Sequence, residues 1–88
     1  MTVSFRRFEI LLPRQFNDGQ PVPDDLFADT LLELRQQFGA VSCETQVMRG
    51  LWPDTPETIQ FFRDFKERLK SRFQQLDIWM TTYPIRVL

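Results

Sequence analysis

Hydrophobic and polar positions alternate from Val3 to Leu12, with Phe8, Ile10 and Leu12 on one side and Arg7, Glu9 and Leu11 on the other. A period of two predicts a strand with one buried face. Pro13 stops it, and Phe16-Asn17-Asp18-Gly19-Gln20-Pro21 is dense in turn formers, with Gly19 able to adopt positive φ. The spacing then changes. Phe27, Leu31, Leu34 and Phe38 recur at three- and four-residue steps, which predicts a first helix ending near Phe38 with Gly39 just beyond it. Pro23 suits the first helical turn, and Asp24 and Asp25 meet the positive end of the helix dipole.

The second β candidate is Ala40 to Trp52, where Val41, Cys43, Thr45 and Val47 alternate and Gly50 weakens the far end. Pro53-Asp54-Thr55-Pro56-Glu57 is a helix-start signature: Asp54 or Thr55 caps free N–H groups and Pro56 occupies the first turn. The second helix is predicted from Pro56 to Gln75, with Ile59, Phe62, Phe65 or Lys66, Leu69 and Phe73 forming its apolar stripe. A last strand spans Ile78 to Leu88, where Trp79, Thr81, Tyr83, Ile85 and Val87 alternate with Ile78, Met80 and Thr82. Pro84 within it predicts an edge position or a bulge.

The predicted order is strand, helix, strand, helix, strand. Two amphipathic helices among strands imply an α+β fold, a reduced ferredoxin-like sandwich with a three- or four-stranded sheet and both helices on one face. The full βαββαβ plan needs one more strand before the second helix, yet Trp52 runs directly into Pro53. Without an additional reversal the three strands would all run parallel, which fits poorly with a half-polar last strand. The missing strand has three sources: a fold-back of Ala40 to Trp52 at Glu44 to Gln46 or at Arg49-Gly50, a partner chain, or a segment absent from this sequence.

The chain has 88 residues, 42% hydrophobic and 26% charged, which fits a single domain over 1–88 with no room for a second core. It holds no histidine and one cysteine, which removes the usual zinc sites, Ser-His-Asp and Cys-His catalysis, and an intramolecular disulfide framework. No cofactor and no metal is expected. Glu9 and Pro13 interrupt what would be the apolar core of a signal segment in Met1 to Pro13, and no stretch is long enough to cross a bilayer. A cytoplasmic protein without a membrane partner is expected, with Cys43 a small, half-buried strand residue.

Several segments together resemble a known family. They are Phe8-Glu9-Ile10-Leu11-Leu12-Pro13, Phe16-Asn17-Asp18-Gly19-Gln20-Pro21-Val22, Phe61-Phe62-Arg63-Asp64-Phe65-Lys66-Glu67, Phe73-Gln74-Gln75-Leu76-Asp77-Ile78-Trp79 and Tyr83-Pro84-Ile85. The chain is similar over most of its length to a group of small, uncharacterised bacterial proteins, found notably in cyanobacteria, that has no assigned activity. The resemblance implies an extra strand-forming segment between the positions of Trp52 and Pro53, and this sequence departs from it there.

Candidate chemistry is sparse. Asp18 with Asp24 or Asp25 supplies oxygen ligands for a hard cation, against a plainer role in a turn and helix cap. Asp77 is either a buried acid or a helix-to-strand turn residue. The net charge is −1, but residues 1–48 carry four basic and seven acidic groups and residues 49–88 seven and five. The second helix holds most of the cationic excess, and Arg63, Lys66, Arg68, Lys70 and Arg72 form a stripe that can meet phosphates, weakened by Asp64 and Glu67. Arg6-Arg7 beside Phe5 and Phe8 adds a sheet surface for stacking bases. Trp52, Phe61, Trp79 and Tyr83 exceed the obvious needs of the core and are interface candidates. The leading expectation is a non-enzymatic interaction or regulatory module acting as a homo-oligomer or with another protein. A nucleic-acid-associated protein comes second and a small enzyme with a carboxylate site third.

Overall fold

A computed structural model describes residues 4–39, 41–44, 46–86 and 88, so the expectations placed on residues 1–3 and on Ala40, Thr45 and Val87 lie outside the described residues. The elements run β1 (Phe5–Leu11), α1 (Asp24–Phe38), β2 (Ser42–Glu44), β3 (Val47–Pro53), α2 (Pro56–Arg72) and β4 (Trp79–Ile85). The order is β-α-β-β-α-β, which corrects the expected strand-helix-strand-helix-strand. The stretch read as one strand from Ala40 to Trp52 turns back after Glu44, and Val47 returns antiparallel with Glu44 as its partner. The chain supplies its own fourth strand. β3 continues through the Trp52-Pro53 junction, so neither a partner's strand nor a missing segment is needed there.

All pairings are antiparallel, in the order β2-β3-β1-β4. β1 is central, pairing over its whole length with β3 on one side and β4 on the other. β4 is an edge strand, the first of the two placements, edge or bulge, that Pro84 left open. Pro84 lies opposite Arg6. Having no N–H, it can occupy only a non-hydrogen-bonded pair, so the backbone groups of Met80, Thr82 and Pro84 point outward from the sheet.

Both helices cover one face. Phe8, Ile10, Met48 and Trp52 from the sheet meet Leu34 of α1 and Phe62, Phe65 and Leu69 of α2 in a single buried cluster. Its centre is aromatic: the Phe8 and Phe62 rings stack 3.8 Å apart, and Trp52 lies 4.9 Å from Phe62 and 5.0 Å from Phe38. Gly50 makes room for this tryptophan. A Cβ at position 50 would stand 2.7 Å from two atoms of the Trp52 ring, so any side chain there collides with the indole.

The helix ends follow the sequence signals with small adjustments. Pro23 precedes α1 as its N-cap residue rather than sitting within the first turn, and Gly39 closes the helix at φ +87°, donating its N–H to the Arg35 carbonyl at 2.7 Å. Thr55 caps α2 through its Oγ1, which accepts from the Thr58 N–H at 3.1 Å. α2 stops at Arg72, short of the expected Gln75, because Gln74 takes the left-handed conformation at φ +55° and the Gln75 N–H turns back to the Lys70 carbonyl. Among the described residues no helix is long and apolar enough to cross a membrane.

Candidate functional site

Among the described residues, no helix or strand covers the face of the sheet opposite the helices. The alternation that sends Phe8 and Ile10 inward sends Phe5, Arg7, Glu9 and Leu11 outward, and the pairing register aligns their neighbours into rows. One row holds Val47, Leu11 and Trp79, the next Arg49, Glu9 and Thr81, and the third Leu51, Arg7 and Tyr83. Four large apolar side chains are open to solvent here: Trp79 at 69%, Leu51 at 48%, Tyr83 at 44% and Leu11 at 40% exposure. Their charged neighbours cancel. Arg7 pairs with Glu9 at 3.2 Å and Arg49 with Glu44 at 3.8 Å. β2 is too short to flank Leu51, which leaves a hollow of about 390 Å³ lined by Arg7, Val41, Ser42, Arg49, Gly50 and Leu51. Arg49 Nε is buried beside it without a hydrogen-bond partner among the described residues.

The four aromatic interface candidates separate cleanly. Trp79 and Tyr83 lie on the open face, whereas Trp52 is 2% exposed in the core and presents no surface to a partner. Phe61 is half-buried, edge-on to Phe38 at 5.1 Å, with the Arg68 guanidinium 5.6 Å above its ring. Trp52 and Phe61 thus belong to packing, because the aromatic supply that looked excessive in the sequence fills the space under two helices.

The basic stripe of α2 is largely engaged. Arg68 and Arg72 turn toward α1, where both bind Glu33, at 3.1 and 2.9 Å, and Arg72 also donates to Thr30 Oγ1. Burial works to raise the Glu33 pKa, but hydrogen bonds from Arg72 and Arg68 outweigh it and hold the carboxyl below its ordinary value. Lys66 binds Asp77 at 3.0 Å and Lys70 binds Glu67 at 3.2 Å. Arg63 has no acidic partner among the described residues. Thr30 escaped the sequence reading altogether. It is fully buried, donates its hydroxyl to the Leu26 carbonyl at 2.8 Å and accepts from Arg72, and only its place on the apolar face of α1 could have marked it.

The remaining candidates are structural. Asp18 Oδ1 accepts the Gln20 N–H at 3.0 Å within a tight loop closed by the Gln15–Pro21 bridge, with Gly19 at φ +87°. No group of three or more metal-ligating residues gathers around it or elsewhere among the described residues. Asp77 is exposed, not buried. It accepts from Lys66 and from the Ile78 N–H, and these two hydrogen bonds lower its pKa. Cys43 is also exposed rather than half-buried, because it lies on the short edge strand β2. In comparisons with models of protein families, with curated proteins and with solved structures, the chain matches none.

Proposed function

We propose that this chain is a non-enzymatic interaction module that associates with a second copy of itself through the open face of its sheet. The observation that carries this reading is the combination of four exposed apolar side chains with a charge sum of zero on that face. Aromatic and apolar residues concentrated on one surface are the composition of an interface centre. A neutral face with alternating Arg and Glu offers a polyanion no net attraction, but it is self-complementary: under a two-fold axis each arginine can meet the other copy's glutamate.

The same reading takes the element order and the antiparallel β2-β3-β1-β4 sheet as ferredoxin-like, keeps the cytoplasmic expectation drawn from the interrupted Met1 to Pro13 segment, with which a single cysteine is compatible, and retains the kinship with the small bacterial proteins of no assigned activity. The nucleic-acid reading is secondary, since four of its five helix cations are committed to acids.

Light scattering over a concentration series tests the proposal. A mass rising from the 10.6 kDa chain to twice that value is expected, and Trp79→Ser should abolish the rise while leaving the fold intact. A strict monomer, or a dimer indifferent to Trp79→Ser and Arg7→Glu, overturns it. Salt-sensitive RNA binding lost on charge reversal of Lys66 and Lys70 would favour the second reading instead.

A further inference from the structure

β4 extends beyond the cover of the helices. On their side of the sheet its Met80 is only half-buried and Thr82 is exposed, while α2 packs over β1 and β3 through Phe62. Between α2 and the overhanging strand runs a groove of about 370 Å³, lined by Phe8, Ile59, Phe62 and Met80 together with Arg6, Arg63, Lys66 and Thr82. This volume lies at the small end of the ~300–1,000 Å³ typical of ligand sites. We propose that the groove binds a small amphipathic anion, a carboxylate or phosphate head on an apolar body.

The rim supplies the recognition. Three cations converge on it from β1 and α2. Two face acids: Arg6 binds Asp54 at 3.4 Å and Lys66 binds Asp77 at 3.0 Å. Arg63 is the cation in excess. It stands one turn from Ile59, so an anionic head on its guanidinium lays the attached chain between Ile59 and Met80. Asp77 is exposed and its ion pair is of the kind an incoming anion displaces at little cost. Thr82 adds a donor. Its Oγ1 accepts from Arg6 Nε at 3.3 Å, which leaves the hydroxyl proton free to reach an anion's oxygen. The rim carries one more cation than acid, which disfavours a cationic head, and a fully polar anion would leave the half-buried Ile59 and Met80 unused, while Phe8 and Phe62, each 2% exposed, only back the groove from the core. The groove opens on the helix side of β4, away from the open face, so this site and the proposed self-association stand or fall separately.

Amide NMR titration with octanoate tests it, with acetate and octyltrimethylammonium as probes lacking the chain and the negative charge respectively. Octanoate should shift Ile59, Arg63, Met80 and Thr82 saturably and leave Trp79 and Tyr83 unmoved, and both control probes should shift them far less. Arg63→Glu should weaken octanoate about tenfold, and Met80→Gln should weaken it while leaving acetate unchanged, each with the dispersed spectrum of the parent. Equal response to octyltrimethylammonium, shifts centred on the open face, or octanoate affinity unchanged in Arg63→Glu and in the milder Arg63→Gln overturns the proposal.

Discussion

The two faces of this sheet come from the same strands, yet they are built to opposite standards. On the helix side, Phe8, Phe62, Trp52 and Phe38 interlock so closely that one backbone position must be glycine. On the far side, Trp79, Leu51, Tyr83 and Leu11 stand in water beside the Arg7–Glu9 and Arg49–Glu44 ion pairs. Aromatic content alone therefore carries no message about binding. What distinguishes Trp52 from Trp79 is the parity of the strand position relative to the helices.

The largest expected effect breaks the comparison at its two tryptophans. Trp52→Ala should cost about 3–5 kcal/mol in chemical denaturation, the usual toll of emptying an aromatic core site, whereas Trp79→Ala should move the unfolding midpoint of the dilute chain hardly at all. Comparable losses in both would mean that the open face is covered in the monomer. Gly50→Ala is next: its new methyl group meets the indole at 2.7 Å and should destabilise by about 1–3 kcal/mol. Combining it with Trp52→Phe should recover part of that loss, and a purely additive double variant would refute the contact. At the end of α2, Gln74→Gly should raise stability by about 1 kcal/mol, since glycine takes the left-handed conformation at φ +55° without strain.

The smallest effect concerns acid. Glu33 has a lowered pKa in the fold, so its contribution is complete above the ordinary carboxylate value and disappears as pH falls through the folded value. Glu33→Gln should flatten the acid limb of a stability-versus-pH curve measured by urea unfolding. An unchanged limb would show that the contacts of Arg68 and Arg72 with Glu33 do not hold α1 to α2.

The elements with local signals were legible from the chain. Thr55-Pro56 and the Ile59-to-Phe73 stripe located α2, the alternation in β1 assigned its faces correctly, and Pro84 narrowed β4 to an edge or a bulge, of which the fold shows the edge. The β2–β3 reversal was weighed among other sources of a fourth strand but could not be selected. No glycine or proline marks Glu44 to Gln46, and the alternation of Cys43 and Val47 passes through the turn unbroken. In the fold that continuity is lost: Cys43 pairs with Met48 on the helix side, while Val47 pairs with Leu11 on the open side. The acid partners of the basic stripe were invisible for another reason. Glu33 lies 35 and 39 residues from Arg68 and Arg72, and only the packing of α1 on α2 brings them together. Of the aromatic candidates, the sequence placed Trp79 and Tyr83 on one face of their strand but could not say which face would be covered.

The borders of the sheet set a limit on what such an uncovered face can do in a crowded cell. β2 offers three residues at one border, and at the other Pro84 withholds a donor from the outward row. Strand-by-strand growth into fibres needs long borders with every donor and acceptor in place, and neither β2 nor β4 provides one among the described residues. A sticky surface on a sheet with blunted borders can be retained without seeding endless polymers, so assemblies of this chain should close at a small, countable number of subunits.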